Sequence, residues 1–334
     1  MKLGLKDRKI LHQLDLNSRE STSKIGRTIG LNKNTVNYRM SLFEKNKLIK
    51  NYYSVIDSFK LGYEVLRFYI TFQYSTPTIE KEIIEYFKRC KFIWALYTIN
   101  GWFDLDLIFW IRNRQDFYEF WKATLYRYGD YFQDQKLSFF IGFSSYRNSY
   151  LLDDNNVKPL ETSFTYIGDQ KIRSKLDAID YDILRIIAPN ARISISDIAN
   201  KLDVTRSLIV SRFNKLTKLD IIKGYRINID LGQLGYRYYK IDIFLRNYSK
   251  RNQIIAYAKQ NLHLMGIVET VGFSHIEFEY HLKNEEELIR IVNDISDNFP
   301  NSIRSYKYLS VKHIHKLLYL PENIKEIKNP MVTE

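Results

Sequence analysis

Residues 7–63 of this chain recur at 180–236 without an insertion or a deletion. At this offset Asp7 falls on Asp180, Arg19 on Arg192, Ser21 on Ser194, Arg39 on Arg212 and Tyr52 on Tyr225. Leu61-Gly62-Tyr63 falls on Leu234-Gly235-Tyr236. So long a period exceeds that of any stacked solenoid element, so each copy reads as a folded unit of its own. The chain must therefore build two related but non-identical halves.

Each copy begins with three short helices followed by a ribbon. In the first copy Ile10, Leu11 and Leu14 carry helical spacing over 7–16. Ser21 is a candidate N-cap for a helix over 21–30, and Asn32 for one over 32–45 with Val36, Met40 and Phe43 on its inner face. The second copy repeats the scheme with Asp177, Ser194 and Thr205 as starts and Ile209, Phe213 and Leu216 inside. Gly30 closes the second helix, leaving a tight turn before the third. Two short helices so joined, the second with a polar outer face, predict a helix-turn-helix.

Charge separates these segments from the rest of the chain. The net charge is +13. Residues 1–52 hold 12 Lys/Arg against 4 Asp/Glu, residues 171–225 hold 11 against 6, and the remainder is balanced at 28 each. A solvated basic face would explain one such run. Two helical segments that together carry the whole imbalance fit phosphate-facing surfaces.

Downstream of each helical segment the order is β-α-β-β-α-β. In the first copy Leu66, Phe68, Ile70 and Phe72 alternate with Arg67, Tyr69, Thr71 and Gln73, a half-buried strand. A helix over 78–89, strands over 92–99 and 102–111 turning at Asn100-Gly101, a helix over 115–128 and a strand over 136–146 follow. The second copy gives strand 238–245, helix 250–261, strands 266–271 and 274–282, helix 285–298 and strand 303–318. The expected fold is α+β: two tandem copies of a winged helix-turn-helix followed by a ferredoxin-like domain. The expected boundaries are 1–63 and 64–152 for the first pair of domains, 153–175 for a linker, 176–236 and 237–321 for the second pair, and 322–334 for a tail.

With this order in hand, the chain resembles the Lrp/AsnC (feast/famine) transcription regulators. The matching residues are Asp7 to Leu11, Asn17 and Arg19, Val36 and Arg39, Leu48-Ile49-Lys50 with Tyr52, and Leu61-Gly62, with their second-copy equivalents. Gly101-Trp102-Phe103-Asp104 looks like the family's Gly-x-x-Asp turn; the second copy departs from it with His275 at the Asp position. The resemblance implies a sequence-specific DNA-binding regulator that is not an enzyme, and the single cysteine, Cys90, favours a reducing cytoplasm. It also implies homo-oligomers, here a pseudo-tetramer from two chains, and an amino-acid-like effector at sheet interfaces, with Gly101, Asp104 and Asp106 the candidates and Asp104 meeting an ammonium group.

For DNA, Lys33, Asn34, Asn37, Tyr38 and Ser41 point outward on the third helix, and Arg206, Ser207, Ser211 and Asn214 do so in the second copy. Amides can pair with adenine edges, and Lys or Arg with guanine or phosphate. Lys24, Arg27 and Lys50 lie beside that face, where the phosphate backbone would pass. Arg39 and Arg212 flank the core and read as structural or phosphate-anchoring.

The hairpin faces differ between copies, Asp104 and Asp106 against His275, Glu277, Glu279 and His281. Contact between unlike copies is therefore expected, with protonated histidines supplying the opposite charge. His and carboxylate at alternate positions also suit a chelate, with His313 and His315 as further donors, but the last strand is not expected beside that hairpin and no metal is assigned. No cofactor is assigned either, for no phosphate loop, catalytic triad or cysteine pair is present. One cysteine, Cys90, excludes an internal disulfide. No apolar run reaches membrane-spanning length, so no membrane partner is expected. Two rival readings remain: a siroheme decarboxylase-like enzyme of the same fold, needing His and Arg around a tetrapyrrole, and a degenerate assembly partner.

Overall fold

A computed structural model describes residues 3–152, 164–168 and 176–322. The first copy runs α1 (Leu5–Leu16), α2 (Thr22–Ile29), α3 (Lys33–Lys45), β1 (Ile49–Ile56), β2 (Glu64–Phe72), α4 (Pro77–Arg89), β3 (Ile93–Gly101), β4 (Leu105–Ile111), α5 (Arg114–Tyr128) and β5 (Phe132–Ser145). β6 (Phe164–Ile167) follows. The second copy runs α6 (Ala178–Ile187), α7 (Ile195–Leu202), α8 (Arg206–Lys218), β7 (Ile222–Ile229), β8 (Arg237–Leu245), α9 (Arg251–Ala258), β9 (Leu264–Val271), β10 (Ile276–Leu282), α10 (Glu285–Asn298) and β11 (Ile303–Leu317).

The helix starts follow the side-chain caps. Ser21, Asn32, Ser194, Thr205 and Asp177 each accept a hydrogen bond from a backbone N–H of the first turn, which satisfies an otherwise orphaned donor. Gly30 ends α2 in the left-handed region at φ 71°. In the second copy Asp203 takes that conformation at φ 51°, a role its short polar side chain tolerates.

The ribbon differs from the expectation of a wing in each copy. Each copy supplies one strand, and β1 pairs antiparallel with β7 from Ile49 opposite Ile229 to Ile56 opposite Ile222. The sheets differ as well. Eight antiparallel strands in the order β2-β4-β3-β11-β8-β10-β9-β5 close into a barrel through β2–β5, and β6 adds to β5. The copies join at corresponding edges, β3 with β11 and β9 with β5. Closure leaves no exposed sheet edge at either junction, which explains why one chain needs no second sheet to cover it.

Barrel closure also moves the polar strand faces indoors. Leu66, Phe68 and Ile70 point outward to α4 and α5, packing with Ile83, Phe87 and Phe120. Arg67 and Tyr69, expected at solvent, are 1% and 0% exposed. β2 is thus buried on both faces.

The helical segments are not independent domains. The core of α1–α3 is completed by Ile227, Ile229 and Tyr236 of the second copy. The core of α6–α8 is completed by Ile56, Phe59, Leu61 and Tyr63 of the first. Part of the expected linker is β6 of the barrel; the rest of it, and the expected tail beyond residue 322, lie outside the described residues.

Candidate nucleic-acid interface and interior sites

On α3, Lys33, Asn34, Asn37, Tyr38 and Ser41 are all exposed, Tyr38 by 66%, while Val36, Met40 and Phe43 are buried. On α8, Arg206, Ser207, Ser211 and Asn214 are exposed over buried Ile209, Phe213 and Leu216. Lys24 and Arg27 are exposed on α2. The third-helix periodicity thus presents the same polar face in both copies, with different side chains on it.

The flanking arginines hold the helices in place. Arg39 is ion-paired with Asp7 on α1. Arg212 meets Asp177 at 2.7 Å and Asp180 at 3.3 Å. Lys50 is exposed on β1 of the ribbon, off the α3 face. It lies 3.5 Å from Asp230 and borders a cavity beside the ribbon.

The two helical segments are clamped to one another by repeated residues. Arg19 Nη1 donates to the carbonyls of Ala191 and Ile193, and Arg192 Nη1 donates to those of Ser18 and Glu20. Arg19 lies over the rings of Phe213 and Tyr225, and Arg192 over Tyr52. Backbone bonds from Ser18 N to Tyr225 O and Ala191 N to Tyr52 O, at 3.0 and 2.8 Å, complete the joint. Beside it, the buried Arg226 of β7 makes a two-point bond to the buried Asp15 of α1, at 2.9 and 2.8 Å, and reaches Ser145 of β5 at 2.9 Å. These residues fix α3 relative to α8. The repeat of Arg19 and Tyr52 in both copies was the available signal; nothing in the sequence indicated that each clasps the opposite copy.

The candidate effector residues are engaged otherwise than expected. Gly101 has φ 140°, and a Cβ there would stand 2.6 Å from Tyr308 O, so the turn is wedged against β11. Asp104 accepts a 2.7 Å hydrogen bond from Phe72 N, which fixes the turn. Asp106 is fully buried inside the barrel. The three residues form no common open pocket, because Asp104 caps a turn at the rim while Asp106 points to the barrel axis.

The barrel interior holds an ion network that sequence reasoning read only in part. Arg67 meets Glu277 and Glu279, each at 2.9 Å, and Asp106 at 3.4 Å. Lys240 is paired with Asp242 and lies 3.1 Å from Glu277. The Asp106 contact is an ion pair without a hydrogen bond, since neither of its oxygens nor Arg67 Nε finds a hydrogen-bond partner. Four carboxylates thus face two cations. Burial pushes Asp106 up to about 6, offset only in part by Arg67 and Lys240. Burial acts the same way on Glu277, yet Lys240 and Arg67 outweigh it and hold that group below the usual range. Arg67 and Lys240 stand at equivalent positions of the two copies, and Arg67, paired with Glu277 and Glu279, is what joins the unlike copies here, while Lys240 pairs within its own copy. His281 adds no charge there, for burial, with Arg226 and His263 nearby, pushes it down to about 3, so it stays neutral.

A cavity of about 680 Å³ lies between the β1–β7 ribbon and the barrel mouth. Its walls include Tyr53, Trp94, Trp110, Phe140, Phe143 and Tyr319. Among the described residues no cluster of His, Cys, Asp and Glu suits a metal ion, and no helix is long and apolar enough to cross a membrane.

Residues 5–42 match the AsnC-type helix-turn-helix domain, and residues 176–223 match a winged helix-turn-helix DNA-binding domain. A helix-turn-helix-type transcriptional regulator of Pyrococcus abyssi is 29% identical over 143 residues, 42% of this chain and 96% of the relative. The regulator LrpB of Bacillus subtilis is 24% identical over 143 residues, 42% of this chain and 93% of its own length. Among solved structures, the siroheme decarboxylase NirDL superposes with a TM-score of 0.64 at 11% identity, covering 95% of this chain and 94% of that one. That likeness concerns the fold.

Proposed function

The chain belongs to the Lrp/AsnC family of helix-turn-helix regulators, and on that premise we propose that it reads DNA with two unlike, rigidly joined helix-turn-helix modules. The observation that carries this reading is the pair of exposed polar faces on α3 and α8, in the two segments that hold the whole positive excess. Asn34 and Asn37 near the start of α3 suit base edges, with Lys33, Tyr38 and Ser41 beside them. Arg206, Ser207, Ser211 and Asn214 present a different set on α8. Lys24 and Arg27 suit phosphate.

In this reading the chain is a fused tandem pair. Each half contributes a helix-turn-helix and four strands ordered as in a ferredoxin-like domain, and the closed barrel takes the place of a dimer interface. A pair of chains would then carry four helix-turn-helix modules, the equivalent of a family tetramer. The protein acts as a binder, without catalysis.

A second reading has one observation behind it. A siroheme decarboxylase shares the whole-chain fold, and here the large cavity is bordered by His281 and Arg226. Both are already committed. His281 Nδ1 lies 2.9 Å from the Tyr150 hydroxyl, and Arg226 is held by Asp15. Regulation of DNA is therefore preferred. Selection of bound sequences from a random DNA pool, at two salt concentrations, tests it. Enrichment of a defined site that weakens with salt is expected; no enrichment at either salt, with a Soret band in the purified protein, would favour the enzyme.

A further inference from the structure

We infer that the cavity between the β1–β7 ribbon and the barrel mouth is a binding site for an anionic aromatic molecule of two or three rings. Its volume of about 680 Å³ falls within the range of small-molecule sites, roughly 300–1,000 Å³, and is generous for a free amino acid. The walls set the body of the ligand. Trp94 and Trp110 are stacked at 5.3 Å between centroids, Phe143 and Tyr166 at 5.7 Å, and Tyr53 and Tyr319 at 4.5 Å, all bordering the space. Such surfaces favour flat rings.

Charge sets the other end. Lys50, Arg237 and Lys312 border the cavity and are exposed, and among the described residues neither Arg237 nor Lys312 has an ion-pair partner. Asp230 is the one carboxylate among the bordering residues, and it pairs with Lys50. An anionic group on the ligand is thus favoured at the mouth. Inside, Asn148 is 5% exposed, and its Oδ1 has no hydrogen-bond partner. It calls for a donor, a hydroxyl or N–H on the ring system.

The site also has a route to the DNA-binding modules. Tyr53 to Ile56 of β1 and Arg226 to Ile229 of β7 form one wall, and Tyr52 and Tyr225 beside them receive the clamping Arg192 and Arg19. A ligand against that wall bears on the element that fixes α3 relative to α8. This regulatory part rests on the DNA-binding reading; the site itself does not.

The test uses 8-anilinonaphthalene-1-sulfonate, a fused-ring anion, with the full chain and no DNA. Saturable binding of one probe per chain is expected, with energy transfer from tryptophan. The exposed double substitution Arg237→Glu/Lys312→Glu should raise Kd at least tenfold, and Val311→Trp, placed to fill the cavity, should abolish binding. Many weak sites, or one Kd shared by parent and double variant, would overturn the inference; the surface variant keeps the test valid if Val311→Trp fails to fold. DNA affinity of the parent is measured separately, with and without saturating probe. A several-fold change is expected. Intact DNA binding that ignores the probe would overturn the coupling, whereas absent DNA binding with intact probe binding would count against the regulator reading alone.

Discussion

Replacing Arg226 by Met keeps much of the aliphatic stem and deletes the guanidinium. Arg226 is 3% exposed and Asp15 is fully buried, so the pair is shielded from solvent. Three elements meet there: α1 through Asp15, β7 through Arg226 and β5 through Ser145. The single substitution leaves the Asp15 carboxylate buried with Asn148 N, at 2.8 Å, and without its cation. Breaking a buried pair in this way costs about 3–5 kcal/mol. Adding Asp15→Asn removes the orphaned charge while retaining an acceptor for Asn148 N. The double variant should therefore recover a large part of the loss, since neutral replacement of both partners of a buried pair is often nearly neutral. The assay is urea unfolding of the parent, both single variants and the double variant, with slopes compared to confirm that the transition keeps its character. A coupling energy of about 2 kcal/mol or more is expected. Strict additivity of the two single substitutions would refute the claim that this pair ties the helical segment to the barrel.

Further outcomes follow from the same contacts. Asp106 has a folded-state value near 6, above the usual unfolded carboxylate value of about 3.9, so the folded state binds its proton more tightly. It therefore lowers stability as pH rises through roughly 4 to 6 and has no such effect below that window; Asp106→Asn should remove this slope and add about 2–3 kcal/mol at pH 7, and denaturation at pH 4 and 7 that shows the parent's slope in the variant would contradict it. Asn34→Ala or Asn37→Ala should cost about 1–3 kcal/mol on the preferred DNA and little on a scrambled one, read by binding titration. Lys24→Ala and Arg27→Ala should weaken both sequences alike and flatten the salt dependence by about one unit per phosphate contact. Arg19→Ala/Arg192→Ala should leave the barrel folded yet loosen the helical segments, seen as faster amide exchange in α1–α3 and α6–α8.

Local structure was legible because it is written in nearby residues. The caps Ser21, Asn32, Ser194 and Thr205 and the apolar spacing of Val36, Met40 and Phe43 act within a turn or two, and the helices stand where they pointed. That unlike copies meet was expected from their hairpin faces, but the strands that join them were not legible. Strand alternation tells which residues share a face, but a backbone edge carries no side-chain label for its partner, so β1–β7, β3–β11 and β5–β9 could not be read. Arg67 illustrates the consequence. Beside Tyr69 and Thr71 it looks like a solvent-side residue, and its burial follows from barrel closure with Glu277 and Glu279 from the other copy. Asp106 shows the same effect: barrel closure turns its face inward, beside Arg67 and toward Glu277 of the other copy. The polar face of α3 needed no such partner, and it is exposed as its periodicity required.

The central claim is that two unlike DNA-reading helices are held at one separation by Arg19, Arg192 and Arg226. Once a preferred site is selected, its halves can be separated by inserting about five base pairs, roughly half a helical turn. The account predicts at least a tenfold loss of affinity for the parent, and a smaller loss for Arg19→Ala/Arg192→Ala. Equal affinity of the parent for the original and the expanded site would contradict it.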